Sequence, residues 1–336
     1  MARFSFAQFG NDLYTGKKSY NFVGRRKVWY IVATLMILAS VIIPAARGGF
    51  VLGIEFTGGS EFQVAGAGSN GTVDQTIAID TVNEVVPEAT PRVSVVGDDA
   101  VRIQTDQLSQ EESDSLVDAL ATAYNVDAGT NVTASFIGPS WGADITGSAI
   151  RALIVFVILA AIVMALYFRT WKMSIAAIVS LLHDIVITAG VYGILGFEIT
   201  PSAVIGFLTI LGYSLYDTVV VFDKIRENTT EDGPESGRTF AESVNLAVNQ
   251  TLVRSINTGV VAALPVGAIL FIGAYVLGAG TLRDIALSLF IGILIGTYST
   301  IFIAAPLYSQ MREGEPELKK REIRVTQAKQ ASGAVR

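Results

Sequence analysis

Six long apolar segments constrain this chain more than any other feature of its sequence. Each is close to the roughly 20 residues that a helix needs to cross about 30 Å of hydrocarbon. Only 16% of the residues are charged, against about 25% in an ordinary soluble domain. The pattern predicts a polytopic α-helical membrane protein and excludes a soluble enzyme, a nucleic-acid-binding protein and a disordered scaffold. The first segment is expected to stay as an uncleaved anchor, because the stretch ahead of it is too long for a signal peptide. The predicted spans are 28–46, 150–168, 173–195, 201–222, 253–277 and 285–309.

The residue types that are available restrict the chemistry. The chain has no cysteine and a single histidine, His183. This excludes disulfides, thiolate metal ligands and cysteine nucleophiles, and argues against a histidine-rich metal site. No nucleotide-binding loop is visible either. We therefore expect no catalytic residue, no bound metal and no cofactor.

The distribution of basic residues predicts the orientation in the membrane. Residues 1–27 carry six Arg or Lys and the tail 310–336 carries seven, whereas 47–147 carries three against 15 acidic residues. Segments rich in Lys and Arg stay in the cytoplasm. Both termini are therefore expected in the cytoplasm, 47–147 outside, and 148–309 in the membrane. The basic tail is expected to lie at the anionic lipid surface.

The external segment has the pattern of a small α+β domain. Strands are predicted at 61–64, 92–96, 101–105 and 131–136, and helices at 73–86 and 110–124. The turn between the middle strands falls on Gly97, Asp98 and Asp99. Ser109 three residues before Glu112 predicts a capping box. The order strand, helix, strand, strand, helix, strand is that of the ferredoxin-like fold, which leaves one face of the sheet for a partner.

Four ionisable residues fall inside the predicted spans, namely His183, Asp184, Asp217 and Arg254. Such groups are costly in hydrocarbon and usually have a function. At 1.5 Å per residue, Asp217 and Arg254 reach a similar depth near the cytoplasmic side, which predicts contact across neighbouring helices. A purely structural salt bridge, or an Arg254 that reaches the headgroups, remains an alternative. His183 and Asp184 are adjacent, so we expect them to point about 100° apart and not to act on one atom.

Small and polar residues predict which helix faces are interior. In the fourth span they recur on one face, at Gly206, Thr209, Tyr213 and Asp217. In the sixth span, Gly292 and Gly296 form a pair that permits close helix packing. Pro265 predicts a kink in the fifth span, where Arg254 and Thr258 share a face.

Several separate motifs then resemble one family, the SecF family of the protein-export machinery. Residues 20–29 (YNFVGRRKVW) and 182–184 (LHD) match two of its elements, and 53–60 (GIEFTGGS) matches a third with Glu55 where Asp is usual. The most specific matches are 212–228 (GYSLYDTVVVFDKIREN) and 250–258 (QTLVRSINT). The motif positions that we single out are Gly53, Glu55, Phe56, Gly58, Gly59 and Gly212.

The resemblance implies a function in export. Members pair with SecD and, next to a SecYEG-type channel, help exported preproteins across the cytoplasmic membrane while ions, most simply protons, flow. Asp217 matches the family's fourth-span aspartate and Arg254 its fifth-span arginine, which implies an ion relay. Tyr216 stands where the family commonly has Asn, so the resemblance does not imply identical coupling chemistry at this position. The residues expected to support the relay are His183, Asp184, Tyr213, Ser214, Tyr216 and Thr258.

Three other interpretations stay open at this point. An intramembrane aspartyl protease would use Asp184 and Asp217, but its second Gly-x-Gly-Asp element is absent and the two carboxyls lie roughly 9 Å apart in depth. Half of a small-solute transporter of the RND type would need a second copy of the six spans. An ion-independent scaffold of the translocation machinery would tolerate substitution of Asp217.

Overall fold

The computed structural model describes residues 6–68, 73–97, 99–231, 237–273 and 280–331. Six helices in this part of the chain are long and apolar enough to cross a membrane, as predicted. In chain order, the elements are α1 (Phe6–Tyr14), α2 (Arg26–Ala46), α3 (Ile54–Thr57), β1 (Gly59–Val64), α4 (Gln75–Val85), β2 (Arg92–Val96), β3 (Ala100–Thr105), α5 (Gln110–Tyr124), α6 (Ala128–Asn131), β4 (Val132–Ile137), α7 (Pro139–Phe168), α8 (Trp171–Leu195), α9 (Pro201–Glu231), α10 (Phe240–Ala268), α11 (Gly280–Ser299), α12 (Ala305–Arg312) and α13 (Pro316–Ala331).

The predicted external domain has the ferredoxin-like fold. Its antiparallel sheet has the strand order β2-β3-β1-β4, and α4 and α5 cover one face. Phe62, Ile103, Leu116 and Leu120 are fully buried between them, because alternate residues of a strand point to the same face. The capping box on Ser109 is confirmed. The predicted turn includes Asp98, which lies outside the described residues.

Three of the membrane helices are longer than their apolar segments. The helix α7 begins at Pro139, eleven residues before the predicted start, and α9 runs to Glu231, nine residues past the predicted end. The helix α10 begins at Phe240, thirteen residues early, with a capping box formed by Thr239 and Glu242. Hydropathy detects only the part of a helix that meets lipid, whereas caps and packing decide where the helix itself ends.

The motif at 53–60 forms a turn at the end of the membrane helices that lies next to the ferredoxin-like domain. Gly58 and Gly59 have φ values of 77° and 145°, which only glycine adopts without strain. Beside this turn, α3 packs on the first turns of α7, where a Cβ at Gly142 would meet the carbonyl oxygen of Phe56 at 2.5 Å. The motif therefore fixes how the chain passes from the membrane into the sheet.

The N-terminal motif at 20–29 is held by two asparagines of α10. The Asn249 Oδ1 accepts from the Tyr20 amide at 2.7 Å, and the Asn245 Oδ1 accepts from the Phe22 amide at 2.8 Å. Both Nδ2 groups donate to the Tyr20 carbonyl oxygen. Side-chain amides here replace the hydrogen bonds that an irregular backbone would otherwise lack, and they attach the start of α2 to α10.

Helix α9 lies at the centre of the membrane domain and packs on α8, α10 and α11. The close approach of α11 is made by Gly292, beside Ile210, and by Gly296, beside Ser214, so the predicted packing role of this pair is confirmed. A π-helical turn at Thr300–Ala304 joins α11 to α12. A second one at Ile269–Gly273 follows Pro265, and Pro265 itself lies inside α10. Turns of this kind are frequent at functional sites.

Candidate functional site

Asp217 is buried in the membrane domain, with 3% of its surface exposed. Its Oδ1 accepts a hydrogen bond of 2.9 Å from the hydroxyl of Ser255 on α10. Its Oδ2 is also buried and has no hydrogen-bond partner among the described residues. An ionised carboxylate is unstable in such surroundings unless a proton or a cation neutralises it. The site therefore suits a group that exchanges a proton or an ion.

Arg254 is next to Ser255 in sequence but lies on a different side of α10. Successive residues of a helix are about 100° apart, so with Ser255 facing α9 the Arg254 side chain faces outward and is exposed. Within the described part of the chain no ion pair joins Arg254 to Asp217. The ion pair that their similar depths suggested is therefore not formed in this structure, and an outward-facing Arg254 was one of the alternatives. Thr258, predicted to support Arg254, donates to its backbone carbonyl oxygen at 2.8 Å.

His183 and Asp184 form a second buried polar cluster. The His183 Nδ1 lies 3.3 Å from the Asp184 Oδ1, and the hydroxyl of Ser214 donates to the Asp184 Oδ2 at 2.5 Å. The two residues were expected to point about 100° apart and not to act on one atom. In the structure the imidazole nevertheless contacts its neighbour's carboxylate. The His183 Nε2 is buried with no partner among the described residues.

This cluster reaches α9 close to Asp217. Ser214, which contacts Asp184, is three residues before Asp217, or about 4.5 Å along the helix. The carboxyl groups of Asp184 and Asp217 were expected to differ in depth by roughly 9 Å, so the spacing is about half of the expected value. One turn further along α9 from Ser214, the hydroxyls of Thr218 and Thr300 lie 3.0 Å apart. Helix α9 thus carries a row of buried polar contacts, which we call the polar seam: Asp184–Ser214, Asp217–Ser255 and Thr218–Thr300.

The predicted polar stripe of α9 does not face one direction. Gly206 and Asp217 are buried, Tyr213 is partly buried, and Thr209 is exposed, so the expected single interior face is wrong for Thr209. Tyr216 is 57% exposed. The exposed residues beside the seam include Gly212, where an added Cβ would meet nothing within 4 Å.

Sequence analysis missed Ser255 and Thr300. Both are small hydroxyl residues in apolar helices, where they are common for packing alone. Ser255 had one usable signal, since it follows Arg254 directly and lies about 100° away from it on the helix. Thr300 had none, because its contact with Thr218 depends on the π-helical turn of the sixth span.

Comparisons with known proteins identify relatives of the whole chain. The family described as protein export membrane protein SecD/SecF, C-terminal, matches residues 117–314. The protein translocase subunit SecF of Streptomyces coelicolor is 45% identical over 97% of this chain and 86% of its own. The SecF of Mycobacterium tuberculosis H37Rv is 40% identical over 91% of this chain and 70% of its own.

The fold also matches a solved structure. The crystal structure of SecDF from Thermus thermophilus, a translocon-associated membrane protein, superposes with a TM-score of 0.75 at 30% identity. The match covers 88% of this chain and 39% of that chain, so this chain spans about two fifths of the length of that protein. Six apolar helices, a polar seam and a ferredoxin-like domain define a multi-pass membrane protein of the transport class. The chain belongs to the SecF branch of the SecD/SecF family, whose members are protein translocase subunits.

Proposed function

We propose that this chain pairs with SecD and assists Sec-dependent export of preproteins, driven by ion flow, most simply of protons, through the polar seam. The observation that carries the proposal is the buried Asp217, which has one carboxylate oxygen paired with Ser255 and the other without a protein partner. The SecF relatives are named as translocase subunits, which supports the export part of the proposal.

The chemistry of Asp217 is that of a reversible carrier of charge. A charged side chain at the centre of a bilayer costs about 2.5–3.5 kcal/mol on insertion scales, so a neutral Asp217 is stable while the site is closed. When water reaches the site, the carboxyl releases its proton or exchanges a cation. Moving one charge through 100 mV changes the free energy by about 2.3 kcal/mol, enough to shift an equilibrium between two conformations.

The exposed position of Arg254 supports the proposal that SecD covers this face of the chain. Its guanidinium is exposed beside the Asp217–Ser255 contact, and Gly212 and Tyr216 are exposed on the neighbouring helix. A guanidinium that faces lipid is costly, so a protein partner that covers this face and supplies a carboxylate is favoured. The Thermus thermophilus relative named SecDF, in which this chain matches 38% of the length, supports SecD as that partner.

The orientation belongs to the same proposal. Residues 1–27 and 310–336 lie in the cytoplasm, 28–46 and 148–309 in the cytoplasmic membrane, and 47–147 outside, where the ferredoxin-like domain meets the emerging preprotein. The basic tail then contacts anionic lipid, and the outer segment lies close to a SecYEG-type channel. The excess of basic residues in both terminal segments supports this arrangement.

The test is pulse-chase export of a Sec-dependent precursor in cells whose only copy carries Asp217→Asn. The matched control is Asp223→Asn, since Asp223 is on the same helix but accepts its hydrogen bond from Tyr167, outside the polar seam. We expect export to slow with Asp217→Asn and not with Asp223→Asn, while the protein and its SecD complex stay at normal levels in both. Normal export with Asp217→Asn would instead support the ion-independent scaffold.

A further inference from the structure

His183 and Asp184 form a buried polar pair that the Asp217–Ser255 contact does not include. His183 lies at the midpoint of the membrane helix α8, which runs from Trp171 to Leu195. Asp184 has none of its surface exposed and His183 has 5%. Ionisable side chains at this depth are costly and usually have a function. The pair is therefore a candidate for a second functional site.

Asp184 needs a positive charge or a proton beside it. Its Oδ2 accepts from the Ser214 hydroxyl at 2.5 Å, and its Oδ1 lies 3.3 Å from the His183 Nδ1. No Lys or Arg side chain of the described residues forms an ion pair with Asp184. A buried carboxylate without compensation is unstable. The pair is neutral when it holds two protons, one between Nδ1 and Oδ1 and one on Nε2 of the imidazole.

The Nε2 of His183 is the end of the pair where a proton enters or leaves, because Nδ1 is occupied by Asp184. Nε2 is buried with no hydrogen-bond partner in the described parts of the chain, and so are the hydroxyl oxygens of Ser180 and Tyr298. Ser180 is one turn before His183 on α8, and the centroid of the Tyr298 ring on α11 lies 6.2 Å from that of the imidazole. Buried polar atoms that lack a protein partner commonly bind ordered water. The surroundings of Nε2 therefore suit exchange of a proton with water.

The other titratable groups around the pair are few. The helices that pack on α8 are α2, α7, α9, α11 and α12. Apart from Asp217 on α9, the Lys, Arg, Asp and Glu residues of these helices lie at or beyond the ends of the predicted spans. Their tyrosines near the depth of the pair are Tyr213 and Tyr216 on α9 and Tyr298 on α11. Within the described chain, a proton is therefore the positive charge that neutralises the pair.

We propose that His183 and Asp184 form a second proton-binding site, in which the His183 Nε2 takes up and releases the proton. When Nε2 releases its proton to water, the other proton stays on Nδ1 beside the carboxylate, and the neutral pair gains one negative charge. Uptake of a proton from water reverses both changes. Ser214 joins this site to α9 three residues before Asp217, so both sites lie on the polar seam. The place of the site in an ion path rests on the proposed function, whereas proton binding by the pair does not.

The test is solid-state NMR of the full chain, labelled with ¹⁵N in histidine and reconstituted with unlabelled SecD in lipid bilayers. The chain contains one histidine, so with a purification tag that lacks histidine both ring-nitrogen signals come from His183. We expect the signals of neutral imidazole at about pH 9 and those of imidazolium at about pH 5. The ratio of the two forms should change by up to about tenfold per pH unit. A single form throughout this range, neutral or charged, would overturn the proposal, because the pair would then be only a structural contact.

One variant and one matched control connect the proton to Asp184. Asp184→Asn should lose the imidazolium form over the same range, because a buried cation then has no counter-charge. Asp223→Asn, on α9 but hydrogen-bonded to Tyr167, should titrate like the unsubstituted chain. An imidazolium form that persists in Asp184→Asn contradicts the assigned pair. The titration of the unsubstituted chain decides the proposal even if Asp184→Asn does not fold.

Failure of this site and failure of the relay through Asp217 give different results. If His183 titrates while Asp217→Asn exports normally, the second site stands and the relay fails. If His183 keeps one form while Asp217→Asn blocks export, the relay stands and the second site fails.

Discussion

The two halves of the molecule bury opposite kinds of side chain. In the external domain the sheet and its two helices enclose Phe62, Ile103, Leu116 and Leu120, and the charged residues lie outside or at helix ends. In the membrane domain the polar seam is buried, while leucine, isoleucine and valine side chains cover the outer surface of the helices. The external domain therefore has an apolar core, whereas the membrane domain has a polar interior seam and an apolar surface.

The difference follows from the solvent. Water expels apolar surface from the external domain and accepts its polar groups at no cost. Hydrocarbon provides no partner for a hydroxyl or a carboxyl, so in the membrane each polar group is stable only beside another polar group. The buried polar contacts are for this reason concentrated on α9, which neighbouring helices shield from lipid. In the external domain, by contrast, the capping residues Ser109 and Glu112 are exposed.

The largest effect is expected from Phe62→Ala in the external core. Phe62 is fully buried, and such a truncation typically costs about 3–5 kcal/mol. Hydrogen exchange of the full chain should show this loss in the opening free energy of β1 and β3 and leave α8 and α9 unchanged. Thr133→Ala, on an exposed part of β4, is the control. Equal loss in both halves would show that the two are one cooperative unit.

A medium effect is expected from Gly190→Ala on α8. An added Cβ would overlap the side chain of Ser40 on α2, and overpacking of this kind typically costs about 1–3 kcal/mol. The melting temperature of the purified chain should fall. Gly212→Ala, where the Cβ meets nothing, should leave it unchanged or slightly higher, since alanine favours helix by about 1 kcal/mol. The reverse order would contradict the packing of α2 on α8.

A smaller effect is expected from Ser109→Ala at the start of α5. The Ser109 hydroxyl accepts from the Glu112 amide, and loss of such a cap typically costs about 1 kcal/mol. Hydrogen exchange should become faster in the first turn of α5 and remain unchanged in the membrane helices. Protection that is unchanged in that turn would show that the cap is not formed in solution.

The smallest effect is a pH dependence of the same cap. Hydrogen bonds from the Ser109 amide and hydroxyl lower the pKa of Glu112. A carboxylate with a lowered pKa stabilises the fold above its ordinary pKa, and this contribution is lost as the pH falls through the lowered value. Protection of the first turn of α5 should therefore decrease on acidification and become insensitive to pH in Glu112→Gln. Protection that rises on acidification would contradict the assigned sign.

The comparison also explains what the sequence could predict. The strands and helices of the external domain were predicted within about two residues at most ends, because alternation, caps and turns are local signals. Six spans were found from hydropathy, but the early starts of α7 and α10 were not, since Pro139 and Thr239 begin those helices outside the apolar segments.

The sequence predicted which buried acidic residues belong to the candidate site, but it did not predict their hydrogen-bond partners. Asp217 and Asp184 stood out because charge is rare in apolar helices. Their partners depend on how each helix is rotated, which no local pattern fixes. The hydroxyls of Ser255 and Ser214 pair with them, whereas Arg254 was expected to pair with Asp217 and faces outward.

The role proposed for Asp217 is to carry ions through the membrane domain. The direct test is ion flux into proteoliposomes that contain the chain with SecD, measured with a proton gradient and, separately, with a sodium gradient. We expect flux of one of these ions with the unsubstituted chain and with Asp223→Asn, and flux near the level of empty liposomes with Asp217→Asn. Flux that is the same in Asp217→Asn, or absent for both ions in the unsubstituted complex, would contradict the claim.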